Sequence, residues 1–193
     1  MRRALTSVLL LSVVSCSGGS PKPAASPTPS ATPIAGVQTY TGLSQRHLSK
    51  GDPIPSYPQS PPVGGPHSPF WLKCQAYATA IPAINAVHSM EHGGVWITYL
   101  PSTRAADVVS LTELTGLNRE YVLISPYPGQ DSPVVVTAWG AQLKVTSVSD
   151  PRIAEFVRRY AGNGPEQVQC ASNGATLDQA RQLDAENGQP QTG

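Results

Sequence analysis

The sequence predicts an α+β fold in a single domain, with a small mixed sheet and two or three helices behind a disordered linker. Short alternating or fully apolar runs typical of strands are interspersed with amphipathic runs of helical period. The last two strand-like runs have no helix between them, which indicates antiparallel pairing. The order β-α-β-β-α is compatible with a thioredoxin-like arrangement. The sequence has no C-x-x-C motif, however, so no redox function follows from that order.

The first segment after the linker, 37–41, alternates and predicts an edge strand. The proline-rich stretch 49–69 excludes helix and interior strand, and its aromatic residues and histidine predict an ordered, functional loop. Residues 71–81 are interpreted as a second strand, and 82–92 as a short helix with a proline in its first turn and Gly93 after its end.

The remaining elements follow from the same patterns. Residues 95–100 form the clearest strand and are apolar enough to be buried on both faces. A helix is predicted over 104–114, and strands over 121–124, 134–138 and 143–148. Asp150 is suited to cap, and Pro151 to start, a last amphipathic helix that ends at Gly162.

The N-terminus indicates export. Two arginines precede an apolar run, 4–14, which is shorter than the roughly 20 residues that a membrane-spanning helix needs and is typical of a secretory signal. The tetrad Val13-Val14-Ser15-Cys16 resembles a bacterial lipobox. Residues 1–15 are therefore predicted to be a lipoprotein signal peptide, and Cys16 to be acylated and to anchor the protein to the cell membrane on the extracytoplasmic side. The alternative is an ordinary signal peptide with a chance cysteine.

Composition sets the domain limits. Residues 16–36 contain mainly Ser, Gly, Pro, Ala and Thr without aromatic residues, so they are predicted to be a disordered linker. The globular domain is predicted over 37–170, and 171–193 as a polar C-terminal tail. A formal net charge of +1 with 13% charged residues argues against a nucleic-acid partner, which would require a basic surface.

Two cysteines remain once Cys16 is lipidated. Cys74 and Cys170 form an even pair in an oxidising compartment, which favours a disulfide between them. The alternative is that Cys74 is a thiolate metal ligand, because it lies close in sequence to two histidines.

The main functional signal is the distribution of histidines. The chain has four, and the segment 87–94, VHSMEHGG, contains two of them. His88 and His92 are spaced i, i+4, so on a helix they share one face with Cβ atoms about 5–6 Å apart, which one metal ion can bridge. Glu91 lies on the same face. The predicted metal ligands are His47, His67, His88, Glu91 and His92.

The metal and the chemistry stay open at this point. A thioether at Met90 beside imidazoles favours copper, although this side chain is also suited to the core, and zinc fits nearly as well. The spacing H-x-x-E-H matches the inverted zincin motif, in which Glu91 would be the general base of a zinc hydrolase. Two further alternatives are histidines that only satisfy local polar contacts, and an envelope module that catalyses nothing.

The chain resembles the bacterial domain-of-unknown-function family 3105, with a signature of roughly H…P-P-x-S-G-P-H…V-H-S/A-L-E-H-G. The matching motifs are P-P-V-G-G-P-H over 61–67 and V-H-S-M-E-H-G over 87–93, after His47 and on either side of Tyr77. The chain has Gly64 where the family commonly has serine, and methionine at 90 where leucine is usual. The resemblance implies an extracytoplasmic, often membrane-anchored or lipidated protein and the same five site residues, but no established activity.

Overall fold

The structure is a computed structural model that describes residues 32–166 and 168–189. The predicted signal peptide, Cys16 and nearly all of the predicted linker lie outside the described residues. Within the described ranges, no helix has the length and apolar character that crossing a membrane would require.

A five-stranded mixed sheet forms the centre of the domain, as predicted. Its strands are β1 (Gln38–Thr39), β2 (Val95–Tyr99), β3 (Val122–Pro126), β4 (Val134–Ala138) and β5 (Ala141–Val145), in the order β1-β5-β4-β2-β3. Strands β2 and β3 are parallel, and the other pairs are antiparallel. Every residue of β2 and β4 is buried, because both strands are internal and both of their faces are covered.

Helices and a long irregular segment, residues 40–82, cover the sheet. The helices are α1 (Ala83–Glu91), α2 (Ala105–Glu113), α3 (Pro151–Tyr160), α4 (Cys170–Asn173) and α5 (Leu177–Glu186), with a 3₁₀ turn at Leu114–Leu117. Asp150 caps α3 by accepting a 2.9 Å hydrogen bond from the Arg152 amide, as the sequence predicted. The observed element order does not confirm the thioredoxin-like arrangement.

The two faces of the sheet contact different layers. Val95 and Ile97 of β2 lie in one hydrophobic cluster with Leu111 of α2 and Phe156 of α3, which we call the α2/α3 face. Trp96, between them in sequence, points to the other side, because side chains alternate along a strand. It lies in a second cluster, the α1 face, whose other members include Leu72, Val87, Met90, Leu123 and Ala180.

The prediction of a strand over 71–81 is wrong. Only isolated parallel bridges occur there, between Leu72 and Ala175 and between Ala76 and Ile124. The backbone of this segment is bonded first to the chain beside α4 and then to β3, so it cannot continue along one ladder. The last strand also starts earlier than expected, at Ala141, because a two-residue turn over 139–140 joins it directly to β4.

The C-terminal region contains a helix that the sequence did not reveal. Helix α5 begins with a capping box in which Thr176 and Gln179 bond reciprocally, and it buries Ala180 and Asp184 against the α1 face. The neighbouring α4 begins at Cys170, which lies at disulfide distance from Cys74 with their Cα atoms 5.4 Å apart. This geometry supports the predicted pairing over the thiolate-ligand alternative.

Candidate metal centre

Helix α1 places three of the predicted ligands. Every residue from Ile84 to Glu91 is buried, because the helix is enclosed by the sheet on one side and by the proline-rich segment on the other. Met90 lies in the core of the α1 face, whereas His88 and Glu91 face the proline-rich segment. Gly93 has a φ of +92° and lies so close to Gly162 that an added Cβ would be 2.9 Å from its backbone, so the helix must end there.

The irregular segment between β1 and α1 contains the other two histidines, His47 and His67. The Leu48 amide donates to the His67 carbonyl at 2.7 Å, and the His67 amide donates to the Arg46 carbonyl at 3.1 Å. These bonds form an isolated parallel bridge between His47 and His67, which lie 20 residues apart in the chain. The side chains of both residues reach the buried end of α1.

Backbone carbonyls fix the orientation of two imidazole rings. Nδ1 of His67 lies 2.8 Å from the Gly65 carbonyl oxygen, and Nδ1 of His88 lies 2.7 Å from that of Ser68. A carbonyl oxygen can only accept a hydrogen bond, so each Nδ1 carries the proton. The lone pair of each neutral ring is therefore on Nε2, which is how metal-binding histidines are commonly oriented by their surroundings.

Four residues bring their donor atoms to a common point. His47, His67, His88 and Glu91 each offer one nitrogen or oxygen, and these atoms all lie within 4.8 Å of one another; we call this group the inner site. Oε2 of Glu91 is 3.0 Å from Nε2 of His67 and 3.4 Å from Nε2 of His47. Ligands about 2.0–2.1 Å from a tetrahedral zinc ion are separated by about 3.3 Å, so these spacings fit a metal ion.

His92 and Glu166 lie beside the inner site, and we call them the outer pair. Nε2 of His92 is 3.1 Å from Nε2 of His88 and 3.2 Å from Oε2 of Glu166. His92 is not a member of the inner site, but it forms a second group of potential ligands with Glu91 and Glu166. Glu91 therefore belongs to both groups.

Burial sets the protonation of the centre. The His67 and His88 side chains are buried, and loss of solvation lowers their pKa values to about 4 and about 3. The pKa of His92 is also lowered, again mainly by burial. Burial, assisted by the charge of Glu166, raises the pKa of Glu91 to about 7. At neutral pH the buried imidazoles are thus neutral and ready to bind a cation.

Two buried polar atoms of the centre have no hydrogen-bond partner. They are Oε1 of Glu91 and Nδ1 of His92. Buried polar groups are normally satisfied, and an unpaired one costs about 1–3 kcal/mol, so such atoms indicate a ligand or a functional group. Glu91 belongs to both groups of potential ligands, and His92 belongs to the second group.

Two tryptophans border the centre. The ring centroid of Trp71 is 4.5 Å from that of His92 and 5.2 Å from that of His88, and Trp139 is 5.8 Å from His67. The side chain of His47 is 43% exposed and that of Glu166 is 49% exposed. The centre therefore has aromatic walls and is open to solvent at these two side chains.

The five predicted ligands lie close together, but they fall into two overlapping groups of potential ligands rather than one. His47 belongs to the inner site, whereas His92 does not. Glu166 lies in neither histidine motif and was not predicted as a ligand. Its only signal is the preceding Gly162-Asn163-Gly164-Pro165, a composition that allows close contact between backbones. Met90 packs in the core of the α1 face.

Comparison with known proteins gives one match. The family model described as "Protein of unknown function (DUF3105)" matches residues 47–172, which include both histidine motifs and Glu166. No curated protein and no solved structure shows significant similarity to the chain.

Proposed function

The chain belongs to the DUF3105 family, whose function is unknown, and we propose from its site that it binds a transition-metal ion at the cell envelope. The inner site binds the ion through imidazole nitrogens of His47, His67 and His88 and a carboxylate oxygen of Glu91. The protein is held at the extracytoplasmic side of the membrane by a lipid on Cys16 and acts there in metal handling.

One observation carries this proposal. Two imidazoles from separate parts of the chain, His67 and His88, are buried, neutral and held by backbone carbonyls so that both Nε2 lone pairs face the same carboxylate-containing centre. Nε2 of His67 lies 3.0 Å from Oε2 of Glu91, and Nε2 of His88 lies 3.1 Å from Nε2 of His92, so each pair of atoms needs a proton or a cation between its members. A divalent ion satisfies several of these donors at once.

The donor set suits borderline metals. Three imidazole nitrogens and one carboxylate oxygen bind both zinc and copper(II) well. Met90 was the residue that favoured copper in the sequence, and its place in the core of the α1 face removes that preference. We therefore propose zinc or copper(II) as the resident ion.

The envelope location is supported by sequence and by the cysteine pair. The lipobox-like tetrad ending at Cys16 indicates acylation after export. Cys74 and Cys170 lie at disulfide distance, as expected for a protein that folds in an oxidising compartment. Labelling of expressing cells with a radioactive or clickable fatty acid tests the anchor, and the Cys16→Ser variant should lose the label.

Calorimetric titration tests metal binding directly. The chain without its signal peptide, carrying Cys16→Ser, is stripped of metal and titrated with Zn(II) and with Cu(II). We expect stoichiometric binding and a loss of affinity of about 100-fold or more in His88→Gln, because each ligand of a four-ligand site contributes roughly a quarter of the binding free energy. Thr98→Val alters a buried hydroxyl of β2 outside the site and should leave the affinity unchanged. A wild-type chain that binds neither ion would disprove the proposal.

A zinc hydrolase is the second candidate, and the raised pKa of Glu91 favours it. A carboxylate with a pKa of about 7 beside metal-binding imidazoles has the proton affinity of a general base. The two functions assign Glu91 different roles. If Glu91 is a ligand, Glu91→Gln weakens metal binding. If it is the base, the variant keeps the metal and loses hydrolysis of a nitrophenyl ester by the zinc-loaded protein.

A further inference from the structure

Glu91 has more binding capacity than the inner site uses. Its Oε2 atom lies 3.0 Å from Nε2 of His67 and 3.4 Å from Nε2 of His47. Its Oε1 atom is buried and has no hydrogen-bond partner. A carboxylate can bind one cation through each oxygen, so this side chain can serve the inner site and a neighbouring ion at the same time.

The outer pair supplies the remaining donors for such an ion. His92, Glu166 and Glu91 each offer one donor atom, and the three atoms lie within 4.8 Å of one another. The side chain of His92 is 4% exposed, and its Nδ1 atom is buried without a partner. Oε1 of Glu91 is thus an unsatisfied buried acceptor next to His92 and Glu166, and a second cation there would satisfy it.

The fold builds the position of Glu166. The Gly162 amide donates to the Gly93 carbonyl at 2.9 Å, and the Glu166 amide donates to the Glu91 carbonyl at 3.0 Å. Gly164 lies so close to the Glu91 carbonyl that any Cβ at this position would collide with it. The segment 162–166 is therefore fastened to the end of α1 by backbone contacts, which place Glu166 next to His92.

We propose that the centre binds two divalent transition-metal ions, with Glu91 shared between the inner site and an outer site formed with His92 and Glu166. This inference rests on the proposed metal-binding function. Carboxylate-bridged pairs of metal ions about 3.5–4 Å apart are common in proteins, and water fills the positions that side chains leave open.

The two sites have different chemistry. The inner site has three imidazole nitrogens and one carboxylate oxygen, whereas the outer site has one imidazole nitrogen and two carboxylate oxygens. Nitrogen-rich sites favour copper and zinc, and oxygen-rich sites bind these ions less tightly. The inner site is also more enclosed than the outer site, in which the Glu166 side chain is 49% exposed. We therefore expect the inner site to fill first and the outer site to exchange its ion more readily.

Titration with Cu(II), followed by calorimetry and electron paramagnetic resonance, tests the second site. The stripped protein should bind two equivalents in succession. The first equivalent gives the signal of an isolated ion, and the second lowers the intensity per copper because neighbouring Cu(II) ions couple magnetically. Glu166→Ala should bind one equivalent, keep the affinity of the first within about threefold and show no coupled signal.

A matched control and two other outcomes complete the test. Glu155 on α3 is equally exposed, at 50%, and lies outside both ligand groups, so Glu155→Ala should bind two equivalents. Thermal melting confirms that both variants are folded. A wild-type protein that binds one equivalent, unchanged by Glu166→Ala, would overturn the outer site and leave the inner one. A wild-type protein that binds no metal would overturn both.

Discussion

The α2/α3 face and the α1 face of the sheet are built by different means. On the α2/α3 face, apolar residues at alternate positions of the strands pack against two amphipathic helices, and burial of apolar area supplies the stability. On the α1 face, much of the covering layer is irregular backbone. It is held by side chains that bond to the main chain, such as Asn85 to the Phe70 carbonyl at 2.7 Å and Ser89 to the Leu72 amide at 3.0 Å.

This difference explains why the candidate centre lies on the α1 face. In a helix or a sheet, most backbone carbonyls are already bonded to backbone amides, so few of them are placed to orient a buried histidine. In the irregular segment, the carbonyls of Gly65 and Ser68 are available, and each accepts from the Nδ1 of a buried imidazole. Irregular structure is costly to hold in place, but it supplies the acceptors that a metal centre needs.

A matched pair of core truncations should give the largest effects and separate the two faces. Leu111 and Met90 are both fully buried, the first on α2 and the second on α1. We expect Leu111→Ala and Met90→Ala each to lower the free energy of unfolding by about 2–5 kcal/mol, measured by urea denaturation of the metal-free protein. Their effects on metal affinity should differ: about tenfold or more for Met90→Ala and less than threefold for Leu111→Ala.

The reason is the position of the two residues relative to the ligands. Met90 precedes Glu91 on α1, so a cavity beneath it lets the ligand-bearing turn shift, whereas Leu111 lies on the opposite side of the sheet. Equal losses of metal affinity in the two variants would show that the faces are not independent. The affinity is to be measured by calorimetry under conditions in which circular dichroism shows that both variants are folded.

The sequence predicted the two faces unequally, for the same physical reason. A continuous apolar run over 95–100 predicted β2, and Asp150 and Pro151 predicted the start of α3. On the α1 face, the apolar run 71–81 predicts a strand that does not form. Hydropathy does not reveal which backbone partners a segment will have. The five predicted ligands were visible in the sequence pattern, but the position of Glu166 depends on a contact between α1 and a loop more than 70 residues later.

Removal of one buried hydroxyl from the contact between α1 and the irregular segment, and of one from within the sheet, should sharpen the contrast between irregular and regular structure at a smaller scale. The Ser89 hydroxyl accepts from the Leu72 amide and lies 3.0 Å from the Leu72 carbonyl, so it fastens α1 to the irregular segment. Ser89→Ala deprives a buried amide of its acceptor, and we expect a loss of about 1–3 kcal/mol in the free energy of unfolding. The Thr98 hydroxyl donates only to the Val135 carbonyl, 3.2 Å away, so Thr98→Val should cost about 1 kcal/mol or less.

Urea denaturation of the two variants measures this difference. A larger loss for Thr98→Val than for Ser89→Ala would contradict the view that single polar contacts matter more where α1 meets the irregular segment than within the sheet.

The smallest expected effect is the pH dependence of stability, which differs between Glu91 and the two buried histidines. Glu91 has a raised pKa, so its contribution favours the folded metal-free protein at low pH and is lost as the pH rises from about 4.5 to about 7. His67 and His88 have lowered pKa values, so their contribution to the stability of the folded protein is present above about pH 6.5 and is lost as the pH falls toward 4 and 3. Between pH 6 and 8 only Glu91 among these three changes its charge.

Metal binding should therefore release a countable proton. A metal ion requires the Glu91 carboxylate to be ionised, so binding at pH 6 should release about one proton from Glu91, and binding at pH 8 about none. His67 and His88 are already neutral at both pH values and should release none. Calorimetry in buffers of different ionisation enthalpy counts the protons. The same count at both pH values would mean that Glu91 is not the group that yields its proton to the metal.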